Sequence, residues 1–546
     1  MMTDWYKDAI VYQIYTRSFF DANGDGIGDF AGVMAKLDYL KDLGVDVLWL
    51  SPFCLSANDD NGYDISDYYR VMPEYGTMAE LAVLIAESHC RGMKIMMDLV
   101  MNHTSDEHPW FLAAKSGKAH PMRDYYIWAP KKGGQAPNNW ESFFEGSAWT
   151  EDEATGECFL HLFSKRQPDL NWSNPKVRRE LHRIATWWVE RGIDAFRLDA
   201  IHLIGKPAGL PDAPEPTVNW PFHNFCNTPE THEYLQEFNQ EVFGKYSVMT
   251  VGETGGTTPE SARLYVETDR KELDMIFHFG HVHETGRPKD AGFFRKYYQE
   301  WYEALSPKGW DAVFFSNHDL PRHVSHLGDD KSFRAESAKL FATMLLTLWG
   351  TPYIYQGEEI GMTNVRFSSL DDYRDLAGKK IYRAALAKGY DSKQAWEEFC
   401  RLSRDNARTP MQWTAGKNAG FTQGTPWIGV NPNHVTINVE EQAKDPDSVF
   451  NYYKKLIALR KTYSALARGS FRLYGEEHPQ IFAYIREDEH DAFLVLLNIS
   501  GQPGVMQTGE AGRWSFLLGN YVAPAHDLPA ALQLNPWEAR IYRRKK

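Results

Sequence analysis

The chain has 546 residues, a length for two to four domains or one large barrel with additions, and its 43% hydrophobic content supports a large core and excludes global disorder. Its formal net charge of −14 argues against nucleic acid or an anionic membrane surface as partner, since both want a basic patch. No apolar run approaches the ~20 residues that span a bilayer, MMTDWYKDAIVYQIY lacks a secretory signal's basic-then-apolar order, and five scattered cysteines form no CxxC pair, so a cytoplasmic protein without disulfides or a zinc site is expected.

Eight short apolar runs punctuate the chain: AIVYQIY (9–15), VDVLWLSP (45–52), MKIMMDLVMNH (93–103), IDAFRLDA (193–200), YSVMTVGET (246–254), LDMIFHFG (273–280), AVFFSNHD (312–319) and TPYIYQGEE (351–359). Helical patterns lie between them. One covers 30–44, with Val33, Leu37, Leu40 and Leu43 on one stripe and Gly44 as stop. Another covers 174–192, with Val177, Leu181, Ile184 and Trp188 in register, Asn174 as cap and Pro175 at the first helical position. Eight near-continuous apolar strands alternating with helices predict an α/β fold, a parallel (β/α)8 TIM barrel. A doubly wound sheet is the alternative, weakened by the lack of a Gly-rich fingerprint after the first strand.

The barrel is expected to be interrupted. Residues 104–171, after the third strand, are rich in Gly, Pro, Asn and aromatics and are too many for a structureless loop, so they read as a small inserted domain. The catalytic barrel would then occupy 1–103 and 172–467, with a charged, irregular subdomain at 359–447. After a helix beginning at Val449 the pattern changes to IFAYIRE, DAFLVLLNIS and ARIYRRK, which predicts an antiparallel β-domain over 468–546.

A parallel barrel builds its active site at the C-terminal strand ends, and here those ends carry acids. The third ends in Asp98 and His103, the fourth in Arg197 and Asp199, the fifth in Glu253, the seventh in His318 and Asp319. Burying like charges is costly, so converging carboxylates need a purpose. Two carboxyls flanking a bond is what glycoside hydrolysis requires. A metal site is the rival use, but soft ligands are missing and Arg197 would repel a cation. Arg197 is expected to keep Asp199 ionised and nucleophilic. The 14% aromatic content adds flat faces suited to sugar rings.

With DLVMNHTSDEHPWF (98–111), GIDAFRLDA (192–200), VGET (251–254) and FFSNHD (314–319) in order and at barrel spacing, the sequence resembles glycoside hydrolase family 13, the α-amylase family. QPDLNW (167–172) and RDNARTPMQW (404–413) resemble its oligo-1,6-glucosidase and α-glucosidase group. The resemblance covers essentially the whole chain. It implies Asp199 as nucleophile, Glu253 as acid/base and Asp319 as transition-state stabiliser. Arg197, His103 and His318 would orient the first glucose, with Asp98 supporting them, Asp60 accepting from its hydroxyls, Tyr63 stacking on it and Arg408 clamping it. A retaining mechanism with the Asp199 and Glu253 carboxyls ~5–5.5 Å apart is expected, and cleavage from a non-reducing end.

In this group valine after the nucleophile goes with α-1,6 bonds and alanine or threonine with α-1,4. Ala200 therefore implies an α-1,4, maltose-like preference; an α-1,6-specific oligo-1,6-glucosidase and a transglucosylating or isomerising relative are the alternatives. A catalytically dead, transporter-associated relative is disfavoured, because this chain keeps the carboxylates and lacks a spanning segment. DANGDGIGD (21–29) alternates oxygen donors as calcium loops do, without the glutamate of an EF-hand. The resemblance implies a structural Ca2+ (or Mg2+) held by Asp21, Asn23, Asp25, Ile27 and Asp29. Partners are expected to be a small oligosaccharide and, at most, a second copy of the chain (monomer or homodimer).

Overall fold

The computed structural model describes residues 4–144, 146–214, 225–283, 289–376, 378–509, 512–521 and 527–546. The eight apolar runs form eight parallel strands: β1 (Val11–Ile14), β2 (Val47–Leu50), β3 (Lys94–Val100), β4 (Ala195–Asp199), β5 (Met249–Glu253), β6 (Met275–Phe277), β7 (Ala312–Val313) and β8 (Thr351–Tyr355). They pair in the order β6-β5-β4-β3-β2-β1-β8-β7. At the β6/β7 seam, side chains complete the circle. Phe277 meets Phe314 edge-on at 5.1 Å between ring centroids, and His278 Nε2 lies 2.9 Å from Asp311 Oδ1. Trp49 and Tyr353 pack on Phe277 from inside, so the barrel is a filled core and no pore.

The helices between strands obey their sequence signals, with one break. Pro175–Val189 starts where Asn174 Oδ1 accepts the Lys176 N–H, and buries Val177, Leu181, Ile184 and Trp188. The stripe at 30–44 is two helices, Phe30–Ala35 and Leu37–Leu43. Lys36 leaves helical geometry between them (φ −111°, ψ 6°), so the stripe survives while the backbone does not continue. Gly44 ends the second helix at φ +100°, a conformation only glycine adopts without strain.

Three excursions build up the C-terminal rim of the barrel. After β2 a hairpin pairs Cys54–Ser56 with Ile65–Val71. After β3, Glu157–Leu160 lies between Trp128–Pro130 and Trp149–Asp152 in a small antiparallel sheet, preceded by the helix Pro109–Lys115. After β8, helices Gly378–Ala387 and Ser392–Leu402 precede the short helix Asp405–Arg408.

The chain ends in an antiparallel sheet of β9 (Ser470–Leu473), β10 (Ile481–Glu487), β11 (Asp491–Asn498), β12 (Ser515–Gly519) and β13 (Ala539–Lys545), ordered β9-β10-β11-β13-β12. Two buried arginines tie it to the barrel. Arg460 donates to the carbonyls of Leu346 and Leu348, and Arg486 to that of Thr347, all at the C-terminal end of helix Arg334–Thr347. Those carbonyls have no partner within the helix, so guanidiniums satisfy them and the helix dipole together. Among the described residues no helix is long and apolar enough to cross a membrane.

Candidate active site

Strand register brings the acids together. Asp98 on β3 lies opposite Arg197 on β4, and Arg197 lies opposite Val251 on β5, which sets Glu253 level with Asp199. Arg197 is 2% exposed. Its Nη1 stands 2.7 Å from both Asp98 Oδ1 and Asp199 Oδ1, and its Nη2 2.8 Å from Glu253 Oε2. Asp98 Oδ2 also accepts from Tyr63 O–H (3.0 Å) and Trp49 Nε1–H (3.3 Å). Glu253 Oε2 accepts the backbone N–H of Ala200 at 2.9 Å.

One guanidinium thus serves three carboxyls. Burial, with the charges of Glu253 and Asp98 behind it, holds Asp199 well above the usual carboxylate range against the pull of Arg197. Burial likewise pushes Asp98 up to about 6, with Arg197 opposing. Arg197 does pull Asp199 toward its ionised form, as expected, but it is shared with Asp98 and Glu253, and burial opposes it. The cluster keeps a proton to higher pH than an isolated carboxyl would, and that proton belongs to the cluster as a whole.

Across the pocket the balance reverses. Asp319 Oδ1 takes both Arg408 Nη2 (2.8 Å) and Arg404 Nη1 (2.9 Å). Burial alone would raise Asp319, but His318 and the two guanidiniums overcome it and its pKa falls below the usual value. His318 is itself held down to about 3 by burial, so at neutral pH the guanidiniums supply the attraction. Gln13 Nε2 approaches His318 Nδ1 at 2.8 Å, which assigns the ring proton to Nε2. That nitrogen faces Tyr63 Oη at 2.6 Å and Asp319 Oδ2 at 3.2 Å.

The far wall is formed by the excursions. Asp60, from the hairpin after β2, accepts from Gln167 Nε2 (3.2 Å) and sits 3.8 Å from Arg404 Nη2. Burial raises it to about 7, with Arg404 and Arg408 opposing. His103 Nε2 lies 3.1 Å from both the Tyr63 carbonyl and Gln167 Nε2, and burial lowers its pKa to about 4. Asp60, Tyr63, His103, Asp199, Ala200, Glu253 and Asp319 line a single pocket with Arg404, His202, Phe143, Phe144 and Phe163.

Most residues named from sequence meet here, with differences in role. Tyr63 is stacked on His318 (5.3 Å between centroids, 6° between planes) and its hydroxyl is committed to Asp98 and His318. Arg408 is 2% exposed and stands behind Asp319, donating also to the His318 carbonyl; Arg404 is the arginine at the pocket wall. Arg404 was legible in principle, since it lies four residues before Arg408 in the same motif and so on the same helical side. Gln13, His202 and the three phenylalanines carried no sequence signal of their own.

Ala200 lines the pocket in a left-handed conformation (φ 45°, ψ 33°), which aims its N–H at Glu253. In the loop 21–29, Asp21 accepts the N–H groups of Gly24 and Gly26 (both 2.7 Å) and the Thr422 hydroxyl. Asn23 Oδ1 accepts the Asp25 N–H and Asp25 Oδ1 the Ile27 N–H, both at 2.8 Å. Asp29 caps the helix Phe30–Ala35 through the Gly32 N–H. The loop is wound around its own oxygen side chains, and among the described residues three or more acid, His or Cys side chains are nowhere gathered as a ready metal cluster.

Residues 13–469 match the family profile described as the alpha amylase catalytic domain. An oligo-1,6-glucosidase from Parageobacillus thermoglucosidasius is 50% identical over 555 residues, with 99% of each chain covered. An alpha-glucosidase from Pediococcus pentosaceus is 44% identical over 98% of each chain. Among solved structures, the trehalulose synthase MutB from Pseudomonas mesoacidophila MX-45 superposes with a TM-score of 0.95 at 41% identity, over 100% of both chains.

Proposed function

This chain belongs to the alpha-amylase family of glycoside hydrolases, and we propose that within it the chain is a retaining, exo-acting α-glucosidase of short gluco-oligosaccharides. The observation that carries the reading is the sharing of Arg197 by Asp199 and Glu253 at one pocket end. Two carboxyls on one guanidinium form a close pair, as a retaining glycosidase needs. Glu253 gives its proton to the glycosidic oxygen while Asp199 attacks the anomeric carbon, forming a glucosyl ester and releasing the aglycone as an alcohol. Glu253 then takes a proton from water, the water attacks the anomeric carbon, and Asp199 is regenerated. Asp319, kept ionised by two guanidiniums, faces the positive charge that develops on the sugar. Asp98, His103, Arg197 and His318 position these groups and the sugar, and the Asp60 side of the pocket closes on a non-reducing end. The test is the anomer first released, read by NMR: α-glucose supports the mechanism, and β-glucose refutes it.

The leading substrates in this proposal are α-1,6-linked. The oligo-1,6-glucosidase at 50% identity supports that preference, against the α-1,4 expectation attached to Ala200. Ala200 also has a second task, since its left-handed backbone holds its N–H on Glu253. The pocket-lining methyl of Ala200 keeps maltose as the second reading. Parallel kcat/KM measurements on isomaltose, maltose, sucrose and trehalose separate them. A maltose preference would restore α-1,4, and conversion of sucrose to an isomer with little glucose released would move the chain to the isomerising alternative.

The loop 21–29 is proposed to hold a structural Ca2+ (or Mg2+) through Asp21, Asn23, Asp25 and Asp29 and the Ile27 carbonyl, a hard oxygen set of the kind these ions take. Chelation by EDTA should lower Tm and added Ca2+ restore it; a Tm indifferent to both would remove the ion from the account. The free thiols of Cys54, Cys90, Cys158 and Cys400 support a reducing, cytoplasmic setting.

A further inference from the structure

Asp375 lies in the excursion after β8, between the turn Leu370–Asp372 and the helix Gly378–Ala387, and is 6% exposed. Its Oδ1 accepts from Arg404 Nε (3.0 Å) and Nη2 (2.5 Å) and stands 3.7 Å from Arg408 Nη1. Its backbone is pinned in turn. Asp405 Oδ2 accepts the N–H groups of Arg374 (2.6 Å) and Asp375 (3.0 Å). A chain of contacts therefore runs from Asp405, through the 374–375 backbone and the Asp375 carboxylate, to the two guanidiniums and on to Asp319 and Asp60.

We propose that Asp375 is a positioning residue for this reaction: it draws Arg404 and Arg408 from behind, so that Arg404 stands at the pocket wall and both guanidiniums hold Asp319. The geometry explains why a third acid is buried beside two others. Without a carboxylate at their back, two neighbouring guanidiniums would repel one another and collapse onto Asp319 and Asp60, and Arg404 would leave the wall. With it, each guanidinium is held between an acid in front and an acid behind. Misplacing a substrate-facing group by about 1 Å from outside the chemistry can cost on the order of 10²-fold.

This inference rests on the α-glucosidase reading, and the experiment separates the two. The wild type is assayed first on an aryl α-glucoside; inactivity there would sink the reading itself. Asp375→Asn, which keeps the side chain's shape, is then measured alone and with Arg404→Gln. The expected result is a fall in kcat/KM on the order of 10²-fold, carried partly by KM. That fall should shrink severalfold in the Arg404→Gln background, because the two residues act through one contact. The acid limb of the kcat/KM profile should also move to lower pH. Asp60, faced by Arg404, Arg408, Asp319, Asp64 and Gln167, would then compete with one acid fewer for the guanidiniums. A merely structural role would lower Tm, leave the pH limb in place and give the same fall in both backgrounds; that outcome, or unchanged kinetics, overturns the proposal. If Asp375→Asn folds poorly, Asp375→Glu, which keeps the charge, should recover the pH limb, and failure to do so also counts against it.

Discussion

At the end of β4 one guanidinium serves three carboxyls, while beyond β7 two guanidiniums share Asp319 with Asp375 behind them. In both groups burial pushes upward: on Asp199 and Asp98 in the first, and on Asp319 in the second. The outcomes nevertheless differ in sign: Asp199 and Asp98 stay raised, and Asp319 falls. The lesson is that an arginine beside an aspartate says little until its other partners are counted. The proposed mechanism, which delivers a proton and stabilises a cation, calls for one cluster short of positive charge and another with enough of it.

The comparison breaks most severely at Asp199. Asp199→Asn should lower kcat on an aryl α-glucoside by on the order of 10⁴-fold or more, since a covalent nucleophile has no substitute; activity within a factor of ten of wild type would remove it from that role.

The next effect tests the opposite charge states. Asp319 has a folded pKa below the unfolded value of ~3.9, so its ionisation stabilises the fold above that value and the benefit disappears as pH falls. Asp60, at about 7, is the reverse: the folded state resists its ionisation, and stability is lost as pH rises from ~4 toward 7. Asp319→Asn should therefore lower Tm at pH 8, with the deficit beginning to shrink only below pH ~4. Asp60→Asn should raise Tm at pH 8, with the gain closing toward pH 4. Melting curves for both variants across that range would show two same-signed effects if Asp60 and Asp319, which both face Arg404, were held in the same charge state.

The smallest effect concerns Ala200, whose N–H links the end of β4 to Glu253. Ala200→Val should shift the isomaltose-to-maltose kcat/KM ratio by the roughly 1–3 kcal/mol that such side-chain differences command, and lower Tm through the strain of a β-branched residue at φ 45°. An unchanged ratio would separate that residue from linkage choice.

The barrel strands and the acids at their ends were legible because apolar runs and turn residues act locally. The helix stripe at 30–44 was legible as a buried face, but its break at Lys36 was not, since periodicity records burial and not backbone continuity. Asp375 was invisible for a different reason. It sits in a charged, irregular stretch, and only its approach to Arg404, 29 residues later, gives it a purpose. Arg408 was singled out from its motif, yet its standing behind Asp319 with Arg404 at the wall could not be read from spacing.

The amino-acid sequence by itself determined the alternation that builds the barrel, the positions of the carboxyls along it and the family to which the chain belongs. Strand formation and its period-two alternation are local, and in a parallel barrel every C-terminal strand end lies at the same rim. Tertiary structure alone decided how many positive charges each carboxyl shares, because Arg197 comes from β4 while Arg404 and Arg408 come from the excursion after β8, some two hundred residues along the chain. Electrostatic energy in a buried pocket depends on distance and burial, and neither is written in the order of residues along the chain.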